Sequence, residues 1–235
     1  MESRRARSSN PLAWSVARVT VPGDVETTFA RLTEFDNATI NFNHDPTWAA
    51  LPVALRGVFD PDSNALMPAS ANARISKCVR ALCRYGRKNP TDTVKFVDVK
   101  DSGLRPIRTI EWAPTFYVRV KGVCWYMGGD VPTIPLLQPR KIGLTLEQMR
   151  FYVRLGHQAF CNGDWAHAKI VIHDLSGDDL EVSTVLHQDT IGMASDEEVK
   201  LFMTTFLAAK ARADKVRAER PATSTKPEAG LWLFD

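Results

Sequence analysis

The stretch ANARISKCVRALCRYGRKNP, residues 71–90, carries six bases and no acid. Its apolar residues Ile75, Cys78, Val79, Leu82 and Cys83 recur at helical spacing and fill a sector about 140° wide. Arg74, Lys77, Arg80, Arg84, Arg87 and Lys88 fill the opposite sector. This pattern predicts an amphipathic helix, with Ser70 or Asn72 as its cap and Gly86 as a left-handed terminator. One side belongs to a core and the other is uniformly basic. Like charges on adjacent turns repel by roughly a few tenths of a kcal/mol per pair. With no acid inside the helix, whatever offsets that repulsion must come from outside it.

The charge distribution widens the same question. The chain has 235 residues and a formal net charge of +3. Residues 1–70 hold 6 bases and 8 acids, residues 71–155 hold 16 bases and 6 acids, and residues 156–235 hold 8 bases and 13 acids. Positive charge is therefore concentrated in the middle third. A hydrophobic share of 44% is ample for a core in a chain of this length and argues against a disordered one. Cys78, Cys83, Cys124 and Cys161 lack paired spacing and are expected as reduced thiols, which points to the cytoplasm. The start MESRRARSSNP has no apolar stretch after its arginines, so no signal peptide is expected. No run is apolar enough for a membrane span.

Outward from residues 71–90, the chain alternates helical and strand-like text. WSVARVTV (14–21) reads as a strand ending at Pro22-Gly23, and DVETTFARLTEF as a helix capped by Asp24. Residues 36–70, with four prolines, read as irregular, with a short helical turn near Trp48. TVKFVDVK (93–100), IRTIEW (107–112) and FYVRVKGVCWYM (116–127) read as strands, followed by a loop punctuated by Pro132, Pro135 and Pro139. Thr145 with Gln148 predicts a capping box for a helix to about Phe160, and Ser195 with Glu198 another for a helix to about Arg217. AKIVIHDL (168–175) and LEVSTVLHQ (180–188) flank Ser176-Gly177-Asp178-Asp179 as a hairpin. The expected fold is α+β: one domain over 13–220 with antiparallel strands and about four helices. A basic arm (1–12) precedes it, and a linker with an apolar tail (221–235) follows.

No specific catalytic constellation emerges. His44, His157, His167, His173 and His187 lack metal-ligand spacing, Cys161 and His167 make no motif, and no phosphate-binding glycine loop occurs. Neither a metal nor a cofactor is expected. The residues fit nucleic acid better, because cations hold phosphates and flat rings stack on bases. The expected RNA-contacting set is Arg74, Lys77, Arg80, Arg84, Tyr85, Arg87, Lys88, Arg105, Arg108, Tyr117, Arg119, Lys121, Arg140 and Lys141. In a strand Tyr117, Arg119 and Lys121 share one face, with Phe116 and Val120 on the other. The absence of recognition-helix or zinc-finger spacing favours sequence-tolerant binding of single-stranded RNA. Leu231, Trp232, Leu233 and Phe234 are expected to bury themselves on their own domain or on a neighbouring subunit; a homo-oligomer is the expected assembly, with these four as its contact.

The arginine-bearing MESRRAR arm, basic middle and apolar tail resemble RNA-virus coat and nucleocapsid proteins. IEWAPTFYVRVKGVCWYM followed by GLTLEQM is similar to nucleoproteins of bunyavirus type over about 40 residues. That resemblance implies a non-enzymatic RNA-binding protein that self-assembles, found in a virion. WSVARVTVPGDVETTFARLTEFDN, with the hairpin at 168–188 and the helix after it, resembles the START-like helix-grip superfamily. That resemblance implies an apolar ligand held in a cavity under the last helix. A viral movement or silencing-suppressor role is a further alternative.

Overall fold

The computed structural model describes residues 10–37, 44–63, 66, 72–98, 100, 103–114 and 116–219. The basic arm at Arg4, Arg5 and Arg7 and the tail at Leu231, Trp232, Leu233 and Phe234 lie outside them. The helices are α1 (Ala13–Val19), α2 (Val25–Asn37), α3 (Asp45–Leu55), α4 (Ala73–Lys88), α5 (Leu146–Phe160), α6 (Gln188–Ile191) and α7 (Asp196–Glu219). The strands are β1 (Lys95–Phe96), β2 (Ile107–Ala113), β3 (Phe116–Lys121), β4 (Cys124–Gly128), β5 (Val131–Gln138), β6 (Lys169–Asp174) and β7 (Thr184–His187). An α+β domain results.

Five strands form a sheet in the order β1-β4-β5-β6-β7, and β2 pairs with β3 as a separate hairpin. All neighbours are antiparallel except β5 and β6, which run parallel with α5 as the crossover between them. Alternation along the strands divides the molecule. Ile134, Leu136, Ile170 and Ile172 face one core, shared with α1, α5, α7 and the hairpin residues Ile110, Val118 and Val120. Leu137 and Leu175 face a second core, shared with α3 and α4. The sheet therefore separates a layer containing α1, α5, α7 and the hairpin from a layer containing α3 and α4.

Both predicted capping boxes form. Thr145 and Gln148 satisfy each other at the start of α5, and Ser195 and Glu198 do so at the start of α7. The helix over 24–35 and the amphipathic α4 also form, and β6 and β7 pair as a hairpin. Six expectations are corrected. Residues 36–70, expected to be irregular, hold the 11-residue helix α3 across Trp48, and TVKFVDVK shortens to the two-residue strand β1. WSVARVTV is not a strand but the helix α1, whose residues are buried on every side except Arg18. A short helix enclosed all round has no polar stripe, so its β-branched content misleads.

The run 116–127 is two strands. At Gly122 the chain leaves the hairpin and enters the main sheet, where a Cβ would stand 2.9 Å from the Phe160 ring. The proline-punctuated loop is largely strand β5, with Pro132 opposite Met127 and Pro135 opposite Val171. Its ladder with β4 stops at Thr133, so Pro135 beyond that point costs no bond on that side. Finally, Gly86 does not terminate α4 but lies inside it, packed on the Ala54 carbonyl of α3.

Candidate nucleic-acid interface

The basic face of α4 finds much of its missing offset within the chain. The Arg74 guanidinium donates to the carbonyls of Pro139, Gly177 and Leu175. Lys77 Nζ donates to the Asp178 carbonyl at 3.1 Å, and Arg84 to the Glu181 carbonyl at 3.3 Å. Arg84 also lies 3.4 Å from Asp62, and Arg87 lies 3.5 Å from Asp60. The β6–β7 connection runs along one edge of the helix and the α3–α4 connection along the other. Acids and carbonyls of the two acidic thirds thus answer the bases of the middle third. Arg80 is half-buried, with an Nε that has no partner among the described residues, and Lys88 is exposed at the helix end. Tyr85 turns inward, edge-on to His173 at 5.0 Å between ring centroids.

The hairpin bases sit elsewhere. Register places Tyr117 opposite Glu111, Arg119 opposite Thr109 and Lys121 opposite Ile107, so these three share the outward face. Arg108 pairs with Val120 and points the other way, and Arg105 is exposed just before β2. Arg119 Nε donates to the Asn10 carbonyl, and its backbone N–H to Pro11 O. These two bonds fix the point where the N-terminal arm meets the domain. Trp112, Phe116 and Trp125 pack against the first core rather than presenting rings to solvent.

A third grouping draws the first two together at the C-terminal ends of β5 and β6. Three polar side chains build it. Buried Gln138 accepts from the Arg140 N–H and donates to the carbonyls of Arg140 and Ile142, which shapes the loop after β5. Buried Gln148 donates to the carbonyls of Arg18 and Thr20, which holds the end of α1 on the start of α5. Arg74 holds Pro139 from the α4 side. As a result Arg140 lies over the Trp14 ring, 5.3 Å from its centroid, and Arg31 reaches the Arg18 carbonyl. Lys141 flanks the group and pairs with Asp178. Lys121 pairs with Asp45, next to His44, at its other margin.

The electrostatics reflect this crowding. Burial pushes the Arg140 guanidinium down to about 10, and nearby Arg18 adds to the shift. Burial also lowers Arg18, with Glu34 opposing and Arg31 reinforcing the shift. His44 is held down to about 3 by burial, then by Arg140 and Arg74. The Asp178 carboxyl, fully in solvent, is lowered first by its hydrogen bond from Lys141. Seven bases (Arg18, Arg31, Arg74, Lys77, Lys121, Arg140 and Lys141) meet four acids (Glu34, Asp45, Asp174 and Asp178) around one end of the sheet.

Five of the predicted bases (Arg74, Lys77, Lys121, Arg140 and Lys141) therefore meet, and Arg119 shares the hairpin face of Lys121. Arg80, Arg84, Arg87 and Lys88 run away along α4, and Tyr85 faces inward. Arg18 and Arg31 were missed because they lie in a segment of net negative charge. Arg18 also falls in a run whose β-branched residues read as strand.

The four cysteines are free and buried, and among the described residues no three His, Cys, Asp or Glu side chains gather as a metal site. No helix among the described residues is long and apolar enough to cross a membrane. No family model matches the chain, nor does any curated protein.

Proposed function

We propose that the chain is a non-enzymatic, sequence-tolerant single-stranded RNA-binding protein. The phosphate backbone tracks the basic edge at the C-terminal ends of β5 and β6 rather than the length of α4. The observation that carries the reading is the gathering of seven bases, from five separate segments, against four acids. The Arg140 and Arg18 guanidiniums, depressed first by burial and then by a neighbouring guanidinium, are stabilised by an incoming anion. Tyr117, on the hairpin face with Arg119 and Lys121, offers a flat ring for a base beside the same edge.

If about five phosphates are neutralised, log affinity for a labelled oligouridylate falls with log salt at a slope of roughly −3.5. Charge reversal at the exposed positions Arg31, Lys77 and Lys141 together is expected to weaken binding at least about 100-fold near 0.1 M salt and to flatten that slope. The pair Arg87→Glu and Lys88→Glu, at the far end of α4, should change affinity no more than about threefold. Fluorescence anisotropy across a salt series reads both effects. Equal losses in the two variants, or no binding by the unaltered protein at low salt, would end the proposal.

A further inference from the structure

At the other end of the parallel pair, and on the opposite face of the sheet from α5, lies an open cleft of about 350 Å³. Its floor is laid across four neighbouring strands: Tyr126 on β4, Thr133 on β5, Val171 on β6 and His187 on β7. Tyr126 pairs directly with Thr133, and Val171 with His187, so register alone puts these side chains side by side. Tyr85 from the last turns of α4 closes the inner end, its ring held edge-on by buried His173. The size falls in the range of small-molecule sites, roughly 300–1,000 Å³.

Among the polar groups lining this space, Asn89, Thr91, Thr133 and Gln188 already bond within the chain. Neither the Tyr85 nor the Tyr126 hydroxyl bonds any described residue, and neither does the His187 ring. The charged pair at the rim, Lys169 and Asp189, is internally matched. Burial raises both phenols above the ordinary tyrosine range, Tyr126 further by Tyr85 and Cys124, so both stay protonated. A site with neutral hydroxyl groups and no unbalanced charge selects against ions.

We infer that this cleft binds a small uncharged ring compound carrying several hydroxyl groups, with Tyr85, Tyr126 and His187 as its hydrogen-bonding contacts. The chemistry is shared by monosaccharides and by the ribose of a nucleoside. It is independent of the RNA reading, because the cleft lies at the opposite end of β5 and β6 from the basic edge.

Calorimetric titration of the full chain with glucose and, separately, with uridine tests it. Saturable binding of at least one, with a dissociation constant near or below about 1 mM, is expected. Tyr126→Phe or His187→Ala should weaken it roughly three- to tenfold, since each removes one hydrogen bond. Glucose alone would assign a sugar site. Uridine alone would add the base to the recognised group, and binding of both would place the recognition in the hydroxyl groups. No saturation by either compound up to about 20 mM, or binding untouched in both variants, overturns the inference. Neither substitution should alter RNA affinity, so failure here and failure of the RNA proposal are distinguishable.

Discussion

Gly86→Ala is expected to destabilise the protein by at least about 3 kcal/mol, although alanine is the better helix former by about 1 kcal/mol. The added Cβ would stand 1.8 Å from the Ala54 carbonyl oxygen and 2.8 Å from its carbon. Both are backbone atoms of α3, so no rotamer change relieves the clash. The two helices must separate, and the second core between them must open. At roughly 2–4 °C per kcal/mol for a chain of this size, the melting temperature should drop by about 6–12 °C. Thermal unfolding followed by circular dichroism measures it. A variant as stable as the parent, or more stable, would show that α3 and α4 do not cross as closely as described.

Acid is expected to destabilise the fold from about pH 6.5 downward, well before most carboxylates titrate. His44 and His173 are both held down to about 3, chiefly by burial, His44 also by Arg140 and Arg74 and His173 also by His187. The sign follows from linkage. Below about pH 6.5 the unfolded chain takes up a proton on each imidazole, while the folded chain does not until the pH nears 3. Stability present at neutral pH is therefore lost as pH falls, by up to ~1.4 kcal/mol per unit for each histidine.

His173 Nδ1 lies 3.1 Å from Ser183 Oγ, while its Nε2 has no partner among the described residues. His173→Asn keeps a polar group near Ser183 but cannot titrate, so it should remove about half of the pH slope whatever it does to stability at pH 7.5. Urea midpoints at pH 7.5, 6 and 5 in the parent, His173→Asn and His44→Asn give the slopes. A parent stability flat over that range, or an equal slope in all three proteins, would contradict the account.

How much was legible depended on whether the cue was local. Asn72, Thr145 with Gln148, and Ser195 with Glu198 announce helix starts within four residues, and all three helices begin there. The apolar stripe of α4 was equally plain, because one face meets a core and the other meets water. The role of Gly86 was hidden, since a glycine after a basic run reads as a terminator. Only the approach of α3, more than thirty residues earlier, requires it inside the helix. β5 was hidden by its prolines; Pro135 fits because pairing with β4 lapses after Thr133, while Pro132 stands opposite Met127, whose N–H goes to Thr93 instead. The basic edge was half legible. Arg140-Lys141 and Arg74 belong to the conspicuous middle third. Arg18, in contrast, joins through the bonds from Gln148 at the start of α5 to the Arg18 and Thr20 carbonyls, and Arg31 through its own bond to the Arg18 carbonyl. No composition window contains that information.

The most direct measurement is ultraviolet cross-linking of the full chain to a thiouridine-substituted oligouridylate, with the attached peptides mapped by mass spectrometry. Cross-links should concentrate in peptides around Arg18–Arg31, Arg74–Lys77, Tyr117–Lys121 and Arg140–Thr145, which meet at the ends of β5 and β6. Cross-links confined to the Arg84–Lys88 end of α4, or scattered evenly over the surface, would contradict it.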